Sequence, residues 1–483
     1  MIKVGLLPAA GKGVRAFPTT RRIPKVMLDI SGKPVLQRNI EVLRDDMGIT
    51  DIVIIYGHLG EQIIDYFGDG SEFGVSIRYI ECPRVEEGVA RGICLARDAI
   101  REPFVAILGD EVYVNSNHDE LQKSAEGEFD VICGVQRTTN PFLIRRNYSV
   151  EIDGERITSL IEKPAKIKND LLGCGTYIFT PEIFDHIDNA PKSRRTGRVE
   201  ITEVISRIAK GGGLVRPFFL EGKYVNINLI EDHNYANYVY KDAMFDKFKI
   251  SLIIPAYNEE ESLPFVLSDF RGKTDEIVVV DNCSADRTAE IAREHGARVI
   301  TKQLGGYGDA LKCGMEAAKG DILILVEADA SFRAKDLGKL LEYLKDSDMV
   351  IGSRTCKQLI EQGANMNRLL RWGNVAVAKI MEMLWWSQEP RFTDVGCTYR
   401  AVWKSVFDGI KHRLNGAGPE FSPEMMIEIL LARKRVVELP VSYYPRAGGE
   451  SKISSSPLHI IRTALRMLKV IFGRRLASWF RRI

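Results

Sequence analysis

LLPAAGKGVRAFPTTRRIPK, Leu6 to Lys25, and SLIIPAYNEEESL, Ser251 to Leu263, decide how this chain folds. Each opens on a short apolar run and breaks into a loop at a proline, Pro8 in one and Pro255 in the other. An apolar strand feeding a loop at the head of an alternating pattern is how an open α/β sheet begins, and such sheets bind ligands beyond the carboxyl ends of their strands. In the first loop Gly11 and Gly13 leave the backbone bare, so amide N–H groups can approach a phosphate closely. Arg15 and Lys25 can neutralise its charge, one as a planar fork and the other as a point charge.

Outward from the first stretch, Lys3–Pro8, Asp51–Tyr56, Ser76–Glu81, Phe104–Leu108 and Asp130–Val135 read as strands, separated by amphipathic segments such as Val35–Asp46. Asp232–Phe245 reads as a helix, and a polar link follows. The pattern then restarts: Ser251–Pro255, Glu276–Val280, Ala297–Thr301, Asp321–Val326 and Asp348–Gly352 alternate with helices such as Ala285–His295. Each half also carries an apolar strand tipped by acid, Leu108-Gly109-Asp110 and Val326-Glu327-Ala328-Asp329. The alternation predicts α/β folding in two consecutive domains, 1–246 and 247–453, with a tail at 454–483.

A chain of 483 residues exceeds one ordinary domain at roughly 150 residues each. Hydrophobic content of 45% and charged content of 27% suit a globular protein, and a net charge of +2 selects no polyanionic partner. The basic residues lack the aromatic interleaving of a nucleic-acid platform, so nucleic acid is set aside. The eight cysteines show no CxxC or metal-ligand spacing, which points to reduced thiols in a cytoplasm. The N-terminus lacks a signal-peptide pattern, and no run of about 18 apolar residues offers a conventional spanning helix.

The stretch G-x-G-x-R-x-x-P-x-T…P-K resembles the sugar-1-phosphate nucleotidyltransferases, the family of glucose-1-phosphate thymidylyl- and uridylyltransferases. The likeness runs over about residues 1–240. It is carried further by Tyr56–Gln62, Gly88-Val89-Ala90, Leu108-Gly109-Asp110, Glu162-Lys163-Pro164, Gly173–Phe179 and Glu200–Glu203. It implies Arg15 and Lys25 on a nucleoside triphosphate, Gly11, Gly13 and Gly88 at the nucleotide, and Asp110 on Mg²⁺ (or Mn²⁺). Lys163 would hold the phosphate of a sugar 1-phosphate and Glu162 a sugar hydroxyl. The chain departs from the family at Val14, where Thr is usual, at Asn226, where a second metal aspartate is usual, and at Asn228, where Gly is usual. An Asn226 carbonyl can ligate a metal but brings no charge, which leaves open a regulatory nucleotide-binding half without catalysis.

The second half resembles the family 2 inverting glycosyltransferases of GT-A fold, especially polyprenyl-phosphate sugar synthases of the dolichyl-phosphate mannose type. The likeness spans about Ile250 to Lys452. Pro255–Glu260, Val278–Asp286, Gly305–Leu311, Val350–Arg354, Asp394–Arg400, Glu420–Met425 and Pro445-Arg446…Gly449–Lys452 carry it. The two resemblances together imply Rossmann-like, GT-A type mixed sheets. For the second they imply Pro255, Tyr257, Glu259 and Asp281 at an NDP-sugar, Glu327 and Asp329 at a metal, Arg354 at the substrate, and Arg446 and Lys452 facing phosphate. Glu327 departs from the family's D-x-D. A lipid-phosphate acceptor is already an anionic nucleophile; a hydroxyl acceptor would need a base, with Asp394 or Glu424 as candidates.

Ile453–Ile483 holds seven Arg or Lys and no Asp or Glu. Leu458, Ile461, Leu465, Leu468 and Phe472 share one helical face, and Arg462, Arg466 and Lys469 another. Such a basic amphipathic helix suits an anionic membrane surface, where each cation contributes about 1 kcal/mol; the alternative is packing on the domain. The expectation is therefore a bifunctional enzyme that makes an NDP-sugar and then transfers the sugar to a membrane acceptor, most simply polyprenyl phosphate. It would sit peripherally on the inner face of the cell membrane. A soluble transferase with a small hydroxyl acceptor stays open.

Overall fold

A computed structural model describes residues 1–17, 19–388, 390–448 and 457–480. The chain divides into two compact units, Met1–Ala243 and Met244–Ile483.

In the first unit β1 (Val4–Pro8), β2 (Asp51–Tyr56), β3 (Ser76–Glu81) and β4 (Phe104–Ile107) are parallel neighbours in the order β4-β1-β2-β3. Their alternate residues face opposite sides, Leu6, Val53 and Phe104 into one apolar cluster and Leu7, Ile54 and Val105 into another. The sheet is thus covered on both faces, as its near-continuous apolar strands require. Beyond the short strand β5 (Glu111–Val114), β6 (Val131–Arg137), β7 (Tyr148–Asp153), β8 (Arg156–Glu162) and β9 (Leu171–Phe179) extend the main sheet. β9 is buried along its whole length and runs antiparallel to β4 and β6, so the sheet is mixed. β10 (Val215–Phe219) pairs with β6. A separate ribbon pairs β5 with β11 (Lys223–Asn226) and sets Glu111 opposite Asn226. The amphipathic segment Val35–Asp46 is helix α1 (Val35–Glu41) followed by a wider turn at Val42–Asp46. Helix α2 (Ile201–Lys210) covers the sheet with Ile201, Val204, Ile205 and Ile208.

The second unit orders β12 (Ile250–Ala256), β13 (Glu276–Asp281), β14 (Arg298–Thr301), β15 (Ile322–Leu325), β16 (Met349–Ser353), β17 (Arg400–Trp403) and β18 (Val436–Pro440) as β14-β13-β12-β15-β17-β16-β18. All pairs are parallel except those of β17, which runs antiparallel between β15 and β16. The helices that shape its cavities are α3 (Tyr307–Ala317), α4 (Arg368–Leu384), α5 (Phe421–Leu431) and α6 (Pro457–Phe480).

Helix α6 is part of this fold. Met467 and Ile471 are buried in the main core cluster of the unit. The Arg474 guanidinium reaches two carboxylates of α5, Glu424 and, at 3.1 Å, Glu428. On the opposite face Leu458, Ile461, Leu465, Phe472 and Leu476 are exposed. The helix therefore carries two apolar faces, one seated and one facing solvent. Among the described residues no helix is long and apolar enough to cross a membrane.

Candidate functional sites

A cavity of about 250 Å³ opens past the ends of β1 and β4, lined among others by Gly11, Gly13, Lys25, Gly88, Asp110 and Arg198. Gly13 is in the left-handed region at φ 59°, and a Cβ there would meet Lys25 Cβ at 3.0 Å. The Lys25 ammonium pairs with the Asp110 carboxylate at the cavity wall.

Behind this wall a chain of hydrogen bonds runs into the core. Arg15 Nη2 donates to Asn228 Oδ1 at 2.6 Å, Asn228 Nδ2 to Asn226 Oδ1 at 2.8 Å, and Asn226 Nδ2 to Glu111 Oε1 at 3.2 Å. Glu111 also accepts from the Tyr224 hydroxyl at 2.7 Å, the Tyr113 hydroxyl at 2.5 Å and the Gly175 N–H at 2.7 Å. Burial, and next the charge of Asp110, push its carboxyl up to about 7 against the pull of these donors. From Tyr113 the network continues through the Thr176 hydroxyl to His118. Burial holds that imidazole down to about 4.

Lys163 and Glu162 stand outside the residues lining this cavity. Lys163 has φ 45° and its Nζ lies 3.7 Å from Glu162, which also accepts from the Thr202 hydroxyl at 3.4 Å. Burial raises the Glu162 carboxyl above its ordinary value.

In the second unit a cavity of about 480 Å³ lies past the ends of β12 and β15, lined among others by Pro255, Tyr257, Glu259, Glu327, Asp329 and Arg446. Asp329 is 1% exposed. Its Oδ1 accepts from the Ser331 N–H and hydroxyl at 2.9 and 2.5 Å, and its Oδ2 lies 2.8 Å from the Arg446 guanidinium. Glu327 accepts from the Thr398 hydroxyl at 2.6 Å, and that hydroxyl is paired with Tyr307. Burial and the neighbouring Asp329 charge push Glu327 up to about 7.

A smaller cavity of about 110 Å³ adjoins it and shares Tyr307, Glu327, Pro419 and Arg446. Its far walls are α4, through Leu370, Asn374 and Val377, and α6, through Thr463, Ala464 and Met467. Arg354 also lines it, forked onto Asp394 at 2.8 and 2.9 Å. Burial alone would raise Asp394, but the guanidinium holds it below its ordinary value.

Residues 4–226 match the family model for nucleotidyl transferase, and residues 251–405 match glycosyl transferase family 2. The chain joins a nucleotidyl transferase to a family 2 glycosyl transferase. It is 31% identical over 228 residues to the UTP–glucose-1-phosphate uridylyltransferase AglF of Haloferax volcanii, covering 47% of this chain and 92% of that one. It is 35% identical over 228 residues to an uncharacterized glycosyltransferase of Mycobacterium bovis, covering 46% of this chain and 97% of that one. It is 33% identical over 237 residues to the low-salt glycan biosynthesis nucleotidyltransferase Agl11 of Haloferax volcanii, covering 48% of this chain and 64% of that protein's length.

In the nucleotidyl transferase half, the fold brings Gly11, Gly13, Lys25, Gly88 and Asp110 to one cavity. It sets Arg15 and Asn226 on the adjoining hydrogen-bond chain. Asn226 offers its amide nitrogen to Glu111 and its Oδ1 to Asn228. In the glycosyl transferase half, Pro255, Tyr257, Glu259, Glu327, Asp329 and Arg446 share the larger cavity and Arg354 the smaller. Asp281 is buried at 1% exposure, accepts from the Ser284 N–H at 3.0 Å, and is not among the lining residues. Lys452 lies outside the described residues. Both acids named as candidate bases are engaged, Asp394 by Arg354 and Glu424 by Arg474.

Sequence reasoning passed over Glu111, and gave Tyr307 and Thr398 no role of their own within the stretches that hold them. Glu111 had a signal in Gly175: a Cβ there would fall 2.5 Å from Glu111 Oε1, so the strand residue opposite the acid has to be glycine.

Proposed function

We propose that the nucleotidyl transferase half makes an NDP-sugar from a nucleoside triphosphate and a sugar 1-phosphate. The glycosyl transferase half then transfers that sugar, with inversion, to a lipid phosphate, most simply polyprenyl phosphate. In the first step a sugar-phosphate oxygen attacks the α-phosphorus and the bond to the β-phosphate breaks, releasing pyrophosphate. Arg15 and Lys25 orient and neutralise the triphosphate, Gly88 leaves room for the nucleoside, and Lys163 and Glu162 hold the sugar phosphate. In the second step an acceptor phosphate oxygen attacks the anomeric carbon and the nucleoside diphosphate leaves. Tyr257 and Glu259 lie at the donor, and Arg446 and Arg354 meet phosphate.

Both sites fit a divalent cation through hard oxygens. Among the described residues no cluster of three or more His, Cys, Asp or Glu forms a cage. A site of one or two carboxylates completed by substrate phosphates is how Mg²⁺ is usually held. Asp110 would hold the ion in one half, with Asn226 as a second candidate ligand, and Glu327 and Asp329 would hold it in the other. When bound, the ion supplies positive charge to the leaving phosphate oxygens.

The observation that carries the lipid-phosphate reading is which helices wall the smaller cavity. It lies between α4 and α6, whose outer faces expose Trp372 and Met383 on one and Ile461 and Leu465 on the other. A lipid resting its chains along these faces would bring its phosphate to Arg446 and Glu327, where the two cavities join. Such an acceptor is anionic as it stands, in keeping with the engagement of Asp394 and Glu424 by arginines. Arg462 and Lys469 beside the exposed apolar stripe suit anionic headgroups. The protein would then lie peripherally on the inner face of the cell membrane.

A second reading rests on Asn226, whose amide is turned to Glu111 and which brings no charge; among the described residues Asp110 is the one carboxylate lining the first cavity. On that reading the first half binds nucleotide and regulates the second. The test is a mass-spectrometric screen of nucleoside triphosphates against sugar 1-phosphates with the full chain and Mg²⁺. Any sugar nucleotide formed is then offered with polyprenyl phosphate in vesicles. Pyrophosphate and a glycolipid are expected; a glycolipid from supplied NDP-sugar with no pyrophosphate under any pair would favour the regulatory reading.

A further inference from the structure

We infer that Arg466, on the C-terminal helix α6, is a binding residue for the donor diphosphate; this deepens the proposed glycosyl transfer and rests on it. Among the described residues the larger cavity is lined by two cations, Arg446 and Arg466. Arg446 is engaged with Asp329 at 2.8 Å. Arg466 is exposed at the mouth, and among the described residues it makes no hydrogen bond or ion pair. It is a cation at the edge of a cavity of about 480 Å³, with no group among the described residues to neutralise it.

Its position is fixed by its neighbours in the helix. Met467 is buried in the core, Thr463, one turn earlier, lines the adjoining cavity, and Arg474 ties the following turns to Glu424 and Glu428. With the backbone held on both sides, the side chain at 466 projects over the larger cavity, while those at 458, 461 and 465 project away from it. The helix thus has a third role besides its seated and solvent faces: it supplies a guanidinium, whose planar fork matches phosphate oxygens.

Phosphate reaches this region from two sources, the donor diphosphate and the acceptor phosphate. The donor is favoured because Arg466 lines the cavity of Tyr257, Glu259 and Asp329, and is not among the residues lining the one between α4 and α6. The negative charge that develops on the leaving diphosphate is then met by a group that belongs to the tail.

The test uses the full chain. UDP, dTDP, GDP and CDP with Mg²⁺ are titrated calorimetrically in turn, and the component that Asp329→Ala removes is assigned to the glycosyl transferase cavity. Arg466→Ala is expected to weaken that component about tenfold, Arg466→Lys to recover part of it, and Lys411→Ala, on an exposed turn outside the cavity lining, to leave it within twofold. In transfer assays the KM for NDP-sugar should rise with kcat little changed, and the KM for the lipid phosphate should stay. Vesicle binding and tryptophan emission of Arg466→Ala should match the parent. A nucleotide affinity unchanged in Arg466→Ala, or a rise confined to the lipid-phosphate KM, overturns the assignment and leaves the transferase reading intact. A parent chain with no component sensitive to Asp329→Ala removes both.

Discussion

Replacing Arg474 by methionine should destabilise the glycosyl transferase half by about 3 kcal/mol. The guanidinium is 17% exposed, and the two carboxylates it joins are 3% and 0% exposed. Stranding one partner of a buried ion pair costs about 3–5 kcal/mol, because the remaining charge has lost both water and its counter-ion. Glu424 keeps the N–H of Gly416 at 2.7 Å and that of Asn415 at 3.0 Å, which softens its loss. Glu428 lies 3.9 Å from Arg413, which shares its charge. The lower end of the range follows. All five tryptophans lie between Trp372 and Trp479, so emission during urea unfolding of the full chain reports this half alone. Trp385 is 1% exposed and the Arg475 guanidinium lies 5.7 Å from its ring centroid, so an unseated helix should also shift the emission before global unfolding. The triple replacement Arg474→Met, Glu424→Gln, Glu428→Met removes all three charges of the cluster and should return to within about 1 kcal/mol of the parent. An Arg474→Met chain with parental emission and a stability within about 0.5 kcal/mol would refute the view that α6 is fastened by this cluster.

Gly175→Ala drives a methyl to 2.5 Å from Glu111 Oε1 and should cost the nucleotidyl transferase half several kcal/mol, read by amide hydrogen exchange along Leu171–Phe179. His118 resists protonation down to about 4 while the unfolded chain takes the proton near 6.5, so its contribution is present above pH 6.5 and lost as pH falls toward 4. That shift is worth about 3 kcal/mol; Glu111, raised to about 7, acts with the opposite sign, so the readout is the extra acid sensitivity of the parent over His118→Asn in the same exchange experiment. Leu465→Asp, on the solvent face of α6, should reduce co-sedimentation with anionic vesicles severalfold while leaving Trp emission unchanged; equal co-sedimentation would remove α6 from the membrane contact.

The open α/β plan was legible because its strands announce themselves. Phe104–Ile107 and Ile322–Leu325 are apolar throughout since both of their faces are covered, and the loops after Pro8 and Pro255 fall where such strands end. What escaped were elements whose logic is pairwise. Arg400 opens a strand with a charged residue, yet it is 1% exposed because its guanidinium takes the carbonyls of Cys397, Ser422 and Val395. Nothing in the local pattern names those partners. Glu111 reads as a mere neighbour of Asp110 until Tyr113, Tyr224 and Gly175, far apart in sequence, converge on it. Helix α6 was readable as amphipathic, but it has apolar residues on two faces. Which one is seated depends on acids of α5 that look like ordinary helix carboxylates in the sequence. Of the candidate site residues, those on strand ends and glycine loops gather in cavities; Asp281 is buried away from the lining, and its backbone-bonded carboxylate could not be told from a ligand group by pattern alone.

The central claim is that one chain carries two separable transfer sites, and complementation tests it most directly. The full chain, with its productive nucleoside triphosphate and sugar 1-phosphate, Mg²⁺ and polyprenyl phosphate vesicles, should release pyrophosphate and form glycolipid. Asp110→Asn should lose the first product and make glycolipid only when NDP-sugar is supplied. Asp329→Asn should release pyrophosphate and form none. Mixed, the two variants should restore both products. Pyrophosphate release that survives Asp110→Asn, or glycolipid that survives Asp329→Asn, would contradict the account.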